Sequence, residues 1–204
     1  MQITRRVALK TSALGLAATA TSHAQLPRAE LNPNFKVNKG RIRQSVMGWC
    51  FKPMPALELA KHCKAIGLEA MEGVSAQDYP AIRKLGLKIS LVGSHGFKKG
   101  PFSRANHEYC VERLKAGIDL AVEVHCPSVI TFTGMREKAT NDAQGARNCV
   151  ELWKSVIGYA EKKKINLVLE HLNTRDDSHP MKGHPGYFGD DVDHCVEMIR
   201  KVGS

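Results

Sequence analysis

The 204-residue sequence lacks several signals that assign proteins to common classes. It has no run of about 18 apolar residues, the length that a membrane-spanning helix needs. Its six cysteines show no C-x-x-C or other zinc-binding spacing. No candidate strand is followed by the G-x-G-x-x-G fingerprint of dinucleotide-binding sheets. These absences argue against a membrane-spanning protein, a cysteine zinc site and a dinucleotide-binding domain.

Positive charge is abundant but it is not concentrated. The formal net charge is +10, from 30 Lys and Arg against 20 Asp and Glu. Only Lys98-Lys99 and Lys162–Lys164 form clusters, and the second lies at the end of a predicted helix, where cations complement the helix dipole. We therefore expect no nucleic-acid partner.

The N-terminus has the features of an export signal. Arg5 and Arg6 precede the apolar stretch Ala13–Ala20, which is too short to span a bilayer, and small residues suit cleavage after Ala24. The paired arginines resemble a twin-arginine (Tat) signal, with an ordinary Sec signal as the alternative. We expect residues 1–24 to be removed, the protein to be periplasmic or exported, and no membrane association after export.

After a linker over residues 25–40, strand and helix patterns alternate. The predicted strands are Gln44–Phe51, Leu68–Gly73, Lys88–His95, Ser128–Gly134 and Ile165–Asn173. The predicted helices are Ala56–Ile66, Ala76–Leu85, Asn106–Val124, Asp142–Lys164 and Asp190–Val202. Five strand-helix units in succession predict an α/β fold with a parallel sheet and right-handed crossovers.

Polar or aromatic residues stand near the ends of several predicted strands, as the mouth of a (β/α) TIM barrel requires. Such a barrel takes about 250 residues and eight strands, whereas five strands cannot close. The sequence therefore predicts an incomplete TIM barrel with about five of its eight strand-helix units, and we expect a truncated chain.

Glu170 follows the apolar run Ile165–Leu169 at the end of the fifth predicted strand. A carboxylate at such a strand end is costly to desolvate unless it binds a metal ion or a proton. The alternative is a strand-end glutamate that faces solvent or pairs with a neighbouring lysine. The segment Leu169–Arg175 and the loop Gly183–Phe188 together carry a further signal, which is a family resemblance.

From Arg41 to Gly203 the chain resembles the xylose isomerase-like barrel superfamily and, within it, the hydroxypyruvate isomerase-like group. The resemblance implies that residues 41–204 are the N-terminal part of such a barrel. It implies that Glu170 is both a ligand of Mg²⁺ or Mn²⁺ and an acid-base catalyst. Interconversion of an aldehyde and a ketone through an enediolate needs a proton acceptor and stabilisation of the developing oxyanion.

The same resemblance implies that the other metal ligands and a second glutamate lie beyond Ser204, so we expect the 204-residue chain itself to be inactive. Four residues are candidates for substrate binding, each with a structural alternative. The candidates are His95, Glu72, Trp49 and Asn173. If they do not bind substrate, we expect His95 to be a loop histidine bonded to the backbone and Glu72 to form an ion pair at its strand end. In the same case Trp49 would belong to the core, and Asn173 would cap its own loop.

The leading function is a metal-dependent isomerase of a small hydroxy-carbonyl compound or sugar. A sugar epimerase, a lyase and a non-catalytic carbohydrate-binding protein are alternatives on the same barrel. A nuclease of the endonuclease IV type is disfavoured, because it predicts many histidine ligands at strand ends and only His95 fits. The expected partner is a small molecule, and an oligomer is possible.

Overall fold

The structure is a computed structural model that describes residues 32, 34–179 and 182–204. The predicted signal peptide, residues 1–24, lies outside the described residues. Lys36–Ser204 forms one compact unit. The end of the predicted linker is attached to this unit, since the Val37 N–H donates to the Ile66 carbonyl at 2.7 Å.

The described residues form five short strands, which all run parallel. They are β1 Ser45–Met47, β2 Ala70–Glu72, β3 Lys88–Ile89, β4 Ser128–Thr131 and β5 Asn166–Leu169. β1, β2 and β3 pair in that order, and β4 pairs with β5. A parallel bridge between Val92 and Val129 joins the chain just after β3 to β4. The spatial order of the strands therefore follows their order in the sequence, as in a barrel.

Each strand is followed by a helix, and the five helices are α1 Ala56–Ile66, α2 Tyr79–Lys84, α3 His107–Glu123, α4 Asp142–Lys162 and α5 Val192–Val202. Local chemistry sets several of their ends. The side chains of Asn141 and Asp191 accept from backbone N–H groups in the first turns of α4 and α5. α1 ends at Gly67, which has a left-handed conformation. Among the described helices, none is both long and apolar enough to cross a membrane.

The helices pack on one face of the strands. Met71, Ile89 and Val129 share this face and are buried in one core with residues of α1, α2, α3 and α4. The alternate residues of the strands point to the opposite face, where Ser45, Glu72 and other side chains are half-buried or exposed. In the described residues the helices cover one face of the strands, as in a barrel, whereas a doubly wound sheet has helices on both faces.

The predicted parallel α/β barrel arrangement is confirmed, but the strands are shorter than predicted. The first ends at Met47, because Gly48–Phe51 turns into a 3-10 helix. The last residue of the fifth strand that pairs with β4 is Leu169. One further bond follows, in which the Glu170 N–H donates to the Thr131 carbonyl at 3.0 Å. The residues singled out at the strand ends thus lie where the backbone leaves the sheet. That is the edge at which barrels carry their sites.

The helix ends also differ in places. The second predicted helix starts as a 3-10 turn, Ala76–Asp78, and becomes α-helical only from Tyr79. The last begins at Val192 because Asp191 caps it and Asp190 is paired with Arg136. All cysteines in the described residues are free thiols. Five are buried, as predicted from the apolar helix faces for Cys63, Cys149 and Cys195, and Cys50 is exposed.

Candidate active site

A polar cluster crosses the interior face of the first three strands. Glu72, at the end of β2, accepts from the hydroxyl of Ser45 at 3.3 Å and from that of Ser90 at 3.0 Å. The three residues come from neighbouring strands and share the face opposite the helices. Within the described part of the chain the partners of the Glu72 carboxylate are these two hydroxyls, and not the cation of the strand-end ion pair that was the predicted alternative. A carboxylate flanked by two hydroxyls suits hydrogen bonding to the hydroxyls of a small polar ligand.

Glu170 faces the same interior surface from β5. Leu167 and Leu169 point toward α4 and α5, and the alternation of side chains along the strand sends Glu170 the other way. Its backbone continues the ladder to Thr131, and its carbonyl accepts from the hydroxyl of Tyr187 at 2.8 Å. The carboxylate of Glu170 is therefore carried at the C-terminal end of β5 by a backbone that is fixed on both sides.

Glu72 and Glu170 stand on different parts of the interior face. Glu72 ends β2 and Glu170 follows β5, with β3 and β4 between them in the order of the strands. In a barrel the side chains on the interior face point toward the barrel axis from every strand. Glu72 is therefore a second carboxylate of the same interior face, supplied by a different strand.

Trp49 lies at the edge of the Glu72 cluster. It sits in the 3-10 turn after β1 and packs over Gly73, where an added Cβ would approach the indole Cδ1 to 2.8 Å. Gly73 also has a left-handed φ of +64°, so both its conformation and the close indole require glycine. Trp49 remains 42% exposed. The predicted alternative for Trp49, a place in the core, is therefore wrong, and its contact with substrate stays a prediction.

His95 is buried and bonded to the protein at both ring nitrogens. Nδ1 lies 3.0 Å from the Gly96 carbonyl and 2.9 Å from the Lys99 carbonyl, and Nε2 lies 3.1 Å from the Thr131 hydroxyl. That hydroxyl also accepts from the indole N–H of Trp153 in α4 at 3.0 Å. Substrate binding by His95 stays a prediction, and it would require one of these bonds to open.

These contacts fix the tautomer of His95. Nδ1 lies against two backbone carbonyls, which can only accept, so it carries the single proton of the neutral ring. Nε2 is then an acceptor for the proton of the Thr131 hydroxyl, whose oxygen accepts from Trp153. Burial lowers the pKa of His95, and the carbonyl bonds oppose this shift without cancelling it. His95 is accordingly neutral.

Asn173 organises the loop that follows β5. Its side-chain N–H donates to the Lys182 carbonyl at 2.8 Å, and its side-chain oxygen accepts from the Arg175 N–H at 2.9 Å. Its own carbonyl accepts from the His184 N–H at 2.7 Å. The alternative predicted for Asn173, a cap of its own loop, is present in the structure, and its contact with substrate stays a prediction.

Sequence reasoning missed Arg136 and Tyr187, which connect the loop after β4 to the loop after β5. The Arg136 guanidinium bonds both carboxylate oxygens of Asp190 at 3.0 and 3.2 Å and the Tyr187 carbonyl at 2.6 Å. Partial burial by itself raises the pKa of Asp190, but the bonds and charge of Arg136, with a bond from Thr174, lower it overall. The one available signal was the Gly186-Tyr187 pair of the loop motif.

An apolar groove of about 450 Å³ lies between α4, β5 and α5. Trp153, Ile157, Leu167, Leu169 and Ile199 contribute to its lining. Because Leu167 and Leu169 point away from the interior face, this groove lies on the opposite side of β5 from Glu170. It is not part of the candidate active site.

The described residues do not by themselves fit a metal ion. Within residues 32, 34–179 and 182–204, no group of three or more His, Cys, Asp or Glu side chains is arranged to hold one. Hard cations such as Mg²⁺ take about six oxygen ligands, and Glu170 supplies one carboxylate. The chemistry of its side chain suits such a cation, but the set around it is insufficient.

The family of the chain follows from comparison with known proteins. The model of the family described as "Xylose isomerase-like TIM barrel" matches residues 59–204, which is most of the chain. The protein belongs to the xylose isomerase-like TIM barrel family. This xylose isomerase-like chain has no match among curated proteins. The family match agrees with the strand order, the outer helices and the polar strand ends described above.

Solved structures share the fold of this xylose isomerase-like chain at low sequence identity. An AP endonuclease, family 2, from Brucella melitensis has a TM-score of 0.64 and 16% identity over 75% of this chain and 61% of its own. An L-ribulose 3-epimerase has a TM-score of 0.57 and 16% identity, over 78% of this chain and 57% of its own. A D-psicose 3-epimerase from Clostridium cellulolyticum, solved with D-tagatose, has a TM-score of 0.56 and 11% identity, over 74% of this chain and 55% of its own.

The chain therefore spans about 61% of the length of the Brucella melitensis structure and less of the two epimerases. At these identities the similarity establishes the fold, and fold alone does not decide function.

Proposed function

We propose that this protein is an isomerase or epimerase of a small hydroxy-carbonyl compound or sugar, with hydroxypyruvate as the preferred candidate substrate. Glu170 moves the proton. The observation that carries the proposal is the place of Glu170 directly after β5, with its N–H bonded to Thr131 and its carbonyl to Tyr187, from which the alternation of side chains directs its carboxylate to the interior face. The membership of the chain in the xylose isomerase-like family supports it, as does the shared fold of two sugar epimerases.

The proposed reaction needs a proton to leave a carbon next to a carbonyl and to return to a neighbouring carbon or to the other face. A carboxylate within hydrogen-bond reach of that carbon can accept the proton and give it back. A group fixed at a strand end keeps the same geometry for both transfers, because its backbone does not move. Glu170 has this fixed backbone, through Thr131 on one side and Tyr187 on the other.

We also propose that the reaction depends on Mg²⁺ or Mn²⁺, with Glu170 as one ligand. When bound, such an ion stabilises the negative oxygen of an enediolate. The described residues provide no further group around Glu170 that completes a metal site. Glu170 accordingly has two proposed tasks, and metal binding and proton transfer need separate measurements.

The Glu72 cluster and Trp49 are proposed to bind the remote part of the substrate. Glu72, Ser45 and Ser90 offer hydrogen bonds to hydroxyl groups, and the exposed face of Trp49 offers an apolar surface.

Replacement of Glu170 by Gln tests the proposal. The change is nearly isosteric, but an amide neither accepts a proton nor carries charge to a metal ion. In the protein as its gene produces it, with Mn²⁺ or Mg²⁺, we expect Glu170→Gln to lower the rate of isomerisation of hydroxypyruvate or a ketose by about 1000-fold. Glu197→Gln, an exposed change on α5, is the matched control.

If Glu170→Gln isomerises the substrate at a rate within tenfold of the wild-type rate, the proposed role of Glu170 is wrong. Absence of turnover by the wild-type protein on hydroxypyruvate, pentuloses and hexuloses would contradict the proposed function. Circular dichroism of both variants shows whether folding is intact.

A second candidate function is sugar binding without catalysis, which the exposed indole of Trp49 beside Glu72 favours. The sequence contains two tryptophans, and Trp153 is buried. A sugar that binds at the interior face should therefore change the emission of Trp49. A change in emission that is lost in Trp49→Phe, in a protein that turns over no substrate, would favour this second function.

We further propose that residues 1–24 are a twin-arginine export signal, residues 25–40 a linker and residues 41–204 the barrel part of the chain. The proposal rests on Arg5, Arg6 and the apolar stretch Ala13–Ala20. Mass spectrometry of the exported protein tests it, with Gln25 as the expected first residue. Exported protein that begins at Met1 would contradict it.

A further inference from the structure

Tyr187 connects the ends of β4 and β5 through a single hydroxyl. Its side chain is fully buried. The Thr133 N–H donates to the phenol oxygen at 3.0 Å, and the phenol O–H donates to the Glu170 carbonyl at 2.8 Å. A residue 17 positions after Glu170 thus returns to the strand end and bonds the backbone of the proposed catalytic residue.

The direction of both bonds is determined by chemistry. A backbone N–H can only donate, so the phenol oxygen is the acceptor for Thr133. The one phenol proton is then available only for the Glu170 carbonyl, which can only accept. Burial raises the pKa of Tyr187 to about 12, and the bond from Thr133 works against this rise. The phenol therefore keeps its proton, and the bridge is complete at neutral pH.

The backbone on both sides of the Tyr187 side chain is held in place. Arg136 bonds the Tyr187 carbonyl through its guanidinium at 2.6 Å, and its backbone N–H donates to the Gly186 carbonyl at 2.8 Å. The Phe188 N–H donates to the Gly134 carbonyl at 3.0 Å. The loop after β4 thus fixes the loop after β5 on both sides of Tyr187. The phenol can transmit this fixed position to Glu170.

We propose that Tyr187 is the positioning residue for Glu170. Its hydroxyl holds the peptide group between Glu170 and His171, and through that peptide it sets where the Glu170 carboxylate stands on the interior face. This role rests on the proposed function of Glu170. Tyr187 itself need not contact the substrate, because its hydroxyl is used by two backbone groups.

A positioning role differs measurably from a contribution to loop stability alone. Loss of the bridge should displace the carboxylate by a fraction of an ångström, and a displacement of about 1 Å can cost about 100-fold in rate. The remote contacts of the substrate at Glu72 and Trp49 are unaffected by this displacement. The loss should therefore fall on kcat and leave KM nearly unchanged.

Tyr187→Phe removes the bridging hydroxyl and keeps the buried ring. Tyr79→Phe is the matched control, because Tyr79 is also buried but lies in α2. In the protein as its gene produces it, we expect Tyr187→Phe to lower kcat by about 10- to 100-fold with KM within about twofold. The amide nitrogen resonance of His171 should shift in Tyr187→Phe and stay in place in Tyr79→Phe.

The outcomes separate this proposal from the proposed function. An active wild-type protein whose kcat is unchanged by Tyr187→Phe overturns the role of Tyr187 and leaves the proposed function intact. An unchanged His171 resonance also overturns it. A wild-type protein without turnover overturns the proposed function and the positioning role together.

If Tyr187→Phe does not fold, incorporation of 3-fluorotyrosine at the four tyrosines provides a second test. Fluorination makes the phenol a stronger donor, so the His171 resonance should shift in a folded protein. A resonance that does not move overturns the proposal.

Discussion

Thr131→Val removes one buried hydroxyl that serves two partners. Thr131 is 3% exposed, and its hydroxyl accepts from Trp153 at 3.0 Å and donates to His95 at 3.1 Å. Valine has nearly the same shape, so the change leaves the packing of β4 against α4 intact. It leaves the indole N–H and the imidazole Nε2 in a buried layer without the oxygen that served both.

The expected cost follows from these two bonds. Leaving a buried donor or acceptor without a partner costs about 1–3 kcal/mol. Two such groups cost about 2–6 kcal/mol, and the additional buried methyl group offsets about 1 kcal/mol of this. We therefore expect Thr131→Val to lower the free energy of unfolding by about 1–5 kcal/mol.

Urea denaturation measures this difference, provided that the slope of the transition is unchanged. Thr140→Val removes a hydroxyl that bonds the exposed side chain of Glu137, and it should cost less than about 0.5 kcal/mol. Adding Trp153→Phe to both backgrounds completes a double-mutant cycle, in which a coupling of about 1 kcal/mol or more is expected. A loss below 1 kcal/mol for Thr131→Val, or His95 with its proton on Nε2 by nitrogen NMR, would refute the reasoning.

Two further predictions concern the histidine and the arginine near the site. Folding lowers the pKa of His95. The neutral ring therefore contributes its full stabilisation above about pH 6.5, and this contribution is lost as the pH falls toward the folded pKa. The midpoint of urea unfolding should accordingly decrease from pH 7 to pH 5. His95→Gln should flatten this decrease, and an equally steep decrease would contradict it. Arg136→Lys keeps the charge but loses the two parallel bonds of the guanidinium to Asp190. Loss of one charge-assisted bond, worth about 1.5 kcal/mol, should open the loop after β5 more often. Trypsin should therefore cleave at the exposed Lys182 of that loop about tenfold faster. Arg147→Lys is its control, and equal cleavage rates would contradict the anchoring role.

The helices were predictable because their signals are local. α4 and α5 repeat apolar residues at intervals of three and four, and only their ends differ from prediction. The strands were predicted too long because an apolar stretch does not show where pairing stops. Gly48–Phe51 continues the pattern of β1 but turns away, with the Trp49 indole over Gly73. The fold class needed only the alternation of strands and helices, and it was therefore accessible.

The contacts around the site were less accessible, because their partners are far apart in the sequence. Glu170 became a candidate because it directly follows an apolar strand. The partners of His95 lie in a loop and in β4, 36 residues away for Thr131. Arg136 and Tyr187 are 51 residues apart. No short motif reports such pairs. Sequence reasoning therefore identified candidate residues but not which of them are already bonded to the protein.

The central claim is that Glu170 moves a proton next to a carbonyl group, and deuterium exchange tests it most directly. The protein as its gene produces it is incubated in D₂O with Mn²⁺ and either hydroxypyruvate or a ketose, and deuterium at the carbon next to the carbonyl is followed by proton NMR. We predict that the wild-type protein and Glu197→Gln incorporate deuterium, and that Glu170→Gln incorporates it about 1000-fold more slowly. Equal incorporation by wild type and Glu170→Gln would contradict the account.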